Sequence, residues 1–396
     1  MLSIVIKFGF GAVIVTAGLG MCIALLSRQM RLDYEASRNT RQHTLEYFLL
    51  LSLKGFTIAY LISMLAVAVF PSMLLLLSWP VIQSLPGELP YAVTIGLALM
   101  GIGGLVAMPT AFLKKPRPSR RYLPVDMVSE PGMYGLIAEL ASQFDMPMLT
   151  DIRLTPGADL RIREQAETFD QVFAGGGKIV EIGLAGLEML NAGDLKILLA
   201  RELFHFADNT NLSMAFIRRL ASRFDILTEN FSNSGFLMML NPVAWMAFLA
   251  KPAIYLITEE YLVMNEFRAD NQVLITSGSN RLAHALARYN VETELYRDLL
   301  NIIARSDKTG IGYVGNVYNS MRRAQVESTS ELVVMINHLF KDTALTRGDA
   351  GKKSLRLRLR RLPEMPASAL EINRPALVYL TDWRQTENRM IKVLGA

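Results

Sequence analysis

The residues with the clearest chemical potential form the string Arg201-Glu202-Leu203-Phe204-His205, inside Asp194 to Asp208 (DLKILLARELFHFAD). Positions i and i+4 of a helix lie on one face. With histidine at position 201 the string would read H-E-x-x-H. In that motif two imidazoles grip one zinc, and the glutamate between them reaches the metal-bound water as general base. Such a site takes its third ligand from a later helix, commonly as a carboxylate. Glu259 to Thr276 (EEYLVMNEFRADNQVLIT) offers Glu266 as that metal ligand, with Asp270 one turn on and on the same face. Asp270 would accept a hydrogen bond from an imidazole N–H and hold the ring in place. RELFH alone is an ordinary helical string, and so is E-x-x-A-D; only the ordered pair has weight.

Position 201 is arginine. A guanidinium has five donors and no usable lone pair, and it stays protonated at physiological pH, so it cannot ligate zinc. It also sets a cation where a divalent cation would sit. His205 and Glu266 then remain as metal residues and Glu202 as the catalytic base, and two ligands are too few for tight zinc binding without help. Zinc is therefore expected to be weak or absent. A base without a metal is poorly equipped to hydrolyse a peptide bond. The expectation for Arg201 is an ion pair with Glu266 or Glu202 that bridges the two helices as a metal would. The other histidines are His43, His284 and His338. Of these, only His284 follows the Glu266 helix closely enough to swing towards the site, and a surface or core position suits it better.

These residues need a helical scaffold. Apolar spacing predicts helices over Met133 to Phe144, Asp194 to Ala207, Leu212 to Phe231, Ile254 to Thr276, Asn280 to Tyr289 and Val317 to Phe340. Asp151 to Thr155 (DIRLT) alternates as a strand does. So does Lys178 to Ile182 (KIVEI), entered through Gly175-Gly176-Gly177. An extended peptide could lie along the edge of that second strand. The fold class is mainly α with a small β-sheet.

Before the site the chain is apolar. Hydrophobic residues make up 51% of the 396 and charged residues only 19%, a membrane-protein balance. Phe8 to Leu26, Gly55 to Leu85 and Leu89 to Leu113 carry no charge, and each is long enough to cross a bilayer core as a helix. The first lacks a small-residue cleavage site and runs directly into Arg28 and Arg31, which favours an anchor over a signal peptide. Arg28, Arg31, Arg38, Arg41 and Lys54 follow the first span, Glu88 alone marks the loop before the third, and Lys114, Lys115, Arg117, Arg120 and Arg121 follow the third. Because cationic loops stay inside, the main domain is expected to face the cytoplasm. The expected division is a membrane anchor over 1–113, a basic linker over 114–121, the main domain over 122–365 and a C-terminal extension over 366–396. Gly235 to Ile257 is apolar but interrupted by Pro242, Lys251 and Pro252, which favours a membrane-dipping hairpin or core element over a full span. A full crossing would part the two halves of the site. The net charge of +5 comes without a basic run interleaved with aromatics, which argues against nucleic acid as a partner. Cys22 is the one cysteine, so neither an internal disulfide nor a cysteine zinc site can form.

Taken in order, these motifs resemble the HtpX and CAAX-prenyl-protease zinc metallopeptidases (metallopeptidase family forty-eight), in which an H-E-x-x-H helix precedes an E-x-x-A-D helix. Glu266-Phe267-Arg268-Ala269-Asp270 matches the second motif. Gly183 to Leu203 resembles the run into the active-site helix, and Ser277 to Tyr289 the helix after the aspartate. Ser354-Leu355, Arg358-Leu359 and Leu362 resemble the closing S-L-x-x-R-I-x-x-L, with Lys352 and Lys353 where the family often has His-Pro. The likeness spans roughly Pro131 to Pro363, behind a family-like multi-span anchor. It implies a zincin-like (gluzincin-like) metallopeptidase domain behind N-terminal transmembrane helices, in the inner membrane if the source is bacterial, with membrane lipids as neighbours. With Arg201 in place, the expected function is a pseudoprotease that binds protein or peptide clients at the cytoplasmic face, holding them or regulating an active membrane protease. An active zinc metalloendopeptidase with an altered metal site, working on membrane or misfolded proteins, is the alternative. A structural membrane protein that only resembles the family is a third reading.

Overall fold

The long uncharged stretches become long helices, because a run of apolar helix-compatible residues has no other way to satisfy its backbone away from water. The computed structural model describes residues 2–36, 42–84, 87–113, 122–144, 146, 149, 151–165, 177–207, 212–233, 241–308, 316–327, 358–359, 362 and 374–395. Expectations placed on Lys114 to Arg121, on Gly175 and Gly176, on Gly235 to Leu240, on residues 328–340 with His338, and on Lys352 to Leu355 lie outside these residues.

Two compact units emerge, and neither is continuous in sequence. The first comprises Met1–Pro116, Glu164–Gly176 and Thr210–Met264; the second comprises Arg117–Arg163, Gly177–Asn209 and Asn265–Ala396. This partition cuts across the linear division expected from the sequence, since part of the segment after residue 122 belongs with the N-terminal helices.

The first unit is helical. It contains α1 (Leu2–Glu35), α2 (Gln42–Gln83), α3 (Leu89–Leu113), α7 (Leu212–Asn233) and the first half of α8 (Pro242–Ser277). Among the described residues, Phe10–Glu35 and His43–Val69 form helices long and apolar enough to cross a membrane. Pro71 and Pro80 do not end α2, which runs through both. Gly87, at φ 68°, makes the turn into α3, a conformation that glycine adopts without steric penalty. The core of this unit joins Ile23, Phe56, Met64 and Ala68 to Phe216, Leu220 and Phe224 of α7 and to Val243, Ala247 and Ile254 of α8.

The expectation for Gly235 to Ile257 is a membrane-dipping hairpin or core element that overlaps, at Ile254, the helix expected to run to Thr276. From Pro242 onwards the structure instead has one continuous helix with Pro252 inside. A mid-helix proline removes one backbone hydrogen bond and crowds the preceding turn, but here the buried face holding Ala250, Ile254 and Tyr261 carries the helix past it.

The second unit is α with a small mixed sheet. Its elements are β1 (Leu123–Pro124), α4 (Pro131–Gln143), β2 (Asp151–Thr155), β3 (Leu160–Gln165), β4 (Gly177–Gly183), α5 (Leu184–Met189), α6 (Ala192–Ala207), the second half of α8, α9 (Ser279–Lys308), α10 (Val317–Glu327), a 3-10 turn (Ala376–Tyr379) and α11 (Trp383–Gly395). The strand order is β1-β2-β4-β3. β1 runs antiparallel to β2, while β2 and β4 are parallel, with Asp151 opposite Ile179 and Thr155 opposite Gly183. The parallel pair is buried on both faces, as parallel strands usually are. One expectation is corrected here. The Lys178 to Ile182 strand is not an edge, because it is bonded on both sides; β1 and β3 are the edges. The sequence could identify the strand but not its neighbours, since β3 pairs with β4 across an intervening segment.

Gly183 ends β4 against the 157–159 turn and donates its N–H to Asp159 O at 2.7 Å. A Cβ built there would lie 2.1 Å from Gly157 O, so this close approach requires glycine. The segment after residue 374 is part of the core: Ala376, Leu377, Leu380 and Met390 are buried with α4, α5 and α6. Ala192 donates to Arg374 O at 2.8 Å, and Glu130 accepts from Thr381 N at 2.7 Å and from Thr386 Oγ1 at 2.8 Å.

Candidate functional site

Helix α6 carries Arg201, Glu202 and His205, and its sequence explains its position. Asn191 caps it, its Oδ1 accepting from Asp194 N at 2.7 Å. Leu195, Leu198, Leu199 and Leu203 fall on one face and are buried. Truncating a leucine so placed costs about 2–5 kcal/mol. That packing fixes the rotation of the helix and hence the direction of the 201/205 face. Glu266 and Asp270 come from the second half of α8, one turn apart, with the fully buried Ala269 beside them.

The structure brings all five sequence-derived residues together. Arg201 Nη1 lies 2.8 Å from Glu202 Oε1, and its Nε donates to Asp270 Oδ1 at 3.0 Å. Arg201 Nη2 is paired with Glu266 Oε2. His205 Nε2 lies 3.5 Å from Glu266 Oε1. The ion pairs envisaged for Arg201 with Glu266 and Glu202 are both made, and Asp270 is a further partner. Arg201 and His205 are buried, at 8% and 2% exposure.

A sixth residue completes the cluster. Arg358 donates from Nε to Asp270 Oδ2 at 2.6 Å and from Nη2 to Asp270 Oδ1 at 2.7 Å, and its Nη1 is 3.2 Å from Glu266 Oε2. Two guanidinium groups therefore face the carboxylates of Glu202, Glu266 and Asp270. Burial, and next the Arg358 charge, lower the Arg201 pKa from its ordinary value; Asp270 and Glu202 pull it back up. The two oxygens of Asp270, expected to hold an imidazole, accept three guanidinium bonds.

A cleft of about 150 Å³ opens beside this cluster, lined by Leu160, Leu198, Arg201, Glu202, Tyr289 and Arg358, among others. The Tyr289 hydroxyl accepts from Leu160 N at 2.9 Å, and burial pushes its pKa up to about 12. Leu160 begins β3, so the cleft adjoins an edge strand. Arg358 and Tyr289 had no assigned role in the sequence, although both lie in strings that carried the resemblance; a role for each needed the distances.

His284 lies in α9, exposed, near Asp194 in the first turn of α6. The helix length separates that turn from His205. His43 is exposed near the start of α2.

The donor set does not fit zinc. His205 and Glu266 converge, but zinc needs three or four protein ligands, and position 201, one turn before His205, holds a guanidinium bonded to Glu266 itself. Among the described residues, no group of three or more His, Cys, Asp or Glu is arranged to hold a metal ion.

Comparisons of the chain with known protein families, with curated proteins and with solved structures returned no match.

Proposed function

We propose that this chain is a membrane-anchored, catalytically degenerate relative of the HtpX-like metallopeptidases, with a zincin-like domain in which a guanidinium has replaced the metal. The observation behind the proposal is Arg201. It stands at the first ligand position and bonds the proposed base, the proposed last ligand and the carboxylate beyond it. Arg201 joins α6 to α8 by charge as a metal would join them by coordination, so the cleft keeps its shape without the chemistry. The ordered motifs support the family reading, and the two long apolar helices support the anchor. The distribution of Arg and Lys between the loops supports a cytoplasmic position for the domain.

The proposed activity is binding of unfolded or membrane-derived polypeptide at the cleft. β3, an edge strand that contributes Leu160 to the cleft wall, offers its outer edge to an extended peptide. Holding a client or regulating an active membrane protease would use the same surface.

A second reading, an active metalloendopeptidase, draws on one specific feature: Glu202 lines the cleft and His205 and Glu266 still converge. Incubating the detergent-purified protein with unfolded and membrane-protein substrates separates the two. Retained binding without cleavage is the expected result. Cleavage abolished by a chelator and by Glu202→Gln would establish the second reading instead.

A further inference from the structure

The first half of α8 has an exposed face that is apolar along its length. Trp245, Phe248, Leu249, Tyr255 and Leu256 recur at helical spacing around Pro252, and all five are exposed, Leu256 at 73% and Trp245 at 62%. A stripe of this size is larger than the scattered apolar residues normal on a water-facing surface. The only charge between Pro242 and Thr258 is Lys251, and its ammonium is held by both oxygens of Asp225 at 2.7 and 2.9 Å.

The opposite face is packed in a manner suited to a membrane interior. Ala244, Ala247 and Ala250 are buried, and small residues of this kind let neighbouring helices approach closely in a bilayer. Val243 Cγ2 would lie 3.0 Å from a Cβ at Gly104 of α3, and Ile257 Cγ2 lies 3.9 Å from that position on Gly20 of α1. Tyr60 of α2 donates to Met246 O at 2.7 Å and Ser27 of α1 to Ile257 O at 3.4 Å. The helix is thus built into one core with the two helices long enough to cross a membrane, whose own outer faces also show apolar residues such as Met21, Phe48 and Leu51.

We propose that the stripe from Trp245 to Leu256 is a lipid-contacting surface, seated in the hydrocarbon of one bilayer leaflet. Its length sets the depth: eleven residue steps span about 16 Å, roughly half of a hydrocarbon core of about 30 Å. Tyr255, next to Glu259 and Glu260, suits the polar–apolar boundary, where amphipathic rings concentrate, and Trp245 lies deeper. Glu259 and Glu260 follow the stripe and close it. The part of α8 before Glu259 is then itself a membrane-seated element.

The inference rests on the membrane-anchored reading above, and its test keeps the two apart. In a Cys22→Ser background, single cysteines at positions 245, 249 and 256 carry a nitroxide label, with labels at 21 and 48 as references for the two long helices and at 128, on the exposed loop residue Val128, as the aqueous reference. The full chain is placed in phosphatidylcholine–phosphatidylglycerol nanodiscs, and oxygen and nickel-chelate accessibilities are compared. The expected result is high oxygen and low nickel accessibility at 245, 249 and 256, matching 21 and 48 and opposite to 128. Nickel accessibility like that of position 128, with 21 and 48 still lipid-exposed, overturns the proposal and leaves the anchor intact. Low accessibility to both reagents means that protein, such as a second copy, covers the face, and also overturns it. Aqueous values at 21 and 48 as well would refute the anchor itself. The two leucine sites report even where the tryptophan variant fails to fold.

Discussion

Arg201 donates from Nε to Asp270 Oδ1 at 3.0 Å, so the residue one turn before His205 is tied to the carboxylate one turn beyond Glu266. Removing it would leave Glu266 and Asp270 with Arg358 as the remaining guanidinium in a buried cluster. Taking away one partner of a buried ion pair typically costs about 3–5 kcal/mol. Arg201→Ala is expected to lower the melting temperature clearly; an unchanged thermal melt would contradict the bridging role.

Arg358 grips Asp270 through two nitrogens, at 2.6 and 2.7 Å. Lysine keeps the charge but cannot reproduce the planar fork. Arg358→Lys is expected to destabilise by about 1–3 kcal/mol, the range for an imperfectly met buried hydrogen bond. Denaturant unfolding measures it, and full tolerance of lysine would show that charge alone matters at this position.

Some of this was legible in the sequence. The i, i+4 pairs 201/205 and 266/270 place their residues by helical geometry alone, and the impossibility of zinc ligation by arginine follows from its chemistry. Arg201's pairing with Glu202 and Glu266 was legible for the same reason. Arg358 was not, because it approaches from 88 positions away along the chain and no local period encodes that contact. The central place of β4 was hidden likewise, since strand order depends on pairing between distant segments. Pro252 misled because sequence shows the missing N–H but not the buried face that holds the helix together. The core role of Ala376, Leu377 and Leu380 was also hidden, as a short apolar run gives no sign of what it covers.

Gly183 is expected to resist even the smallest side chain. A Cβ there would lie 2.1 Å from Gly157 O, and backbone must move to relieve it. Overpacking of this kind costs about 1–3 kcal/mol or more. Gly183→Ala should therefore unfold at lower denaturant; a melt equal to the parent's would show that the 157–159 turn yields freely.

Glu188 links the α10 residue Arg322, at 2.7 Å, to α5, while Arg322 also pairs with Glu387 of α11 at 3.0 Å. Burial pushes the Glu188 carboxyl above its ordinary 4.5; Arg322 pulls it back and Glu387 adds to the rise. A raised carboxyl pKa means the fold favours the neutral form. Its contribution to stability is therefore full below the unfolded-state pKa and is lost as pH rises through the folded-state value. Glu188→Gln, neutral at every pH, is expected to melt above the parent at pH 7, the gap closing as pH falls towards 4.5. A lower melting temperature for the variant at pH 7 would show that the Arg322 pairing outweighs burial.

Zinc per chain, measured by elemental analysis of the detergent-purified protein beside its Arg201→His variant, tests whether Arg201 excludes the metal. Little zinc is expected in the parent and close to one per chain in the variant, where the introduced imidazole would join His205 and Glu266. One zinc per parent chain would contradict that exclusion, because another residue must then supply the ligand that Arg201 cannot.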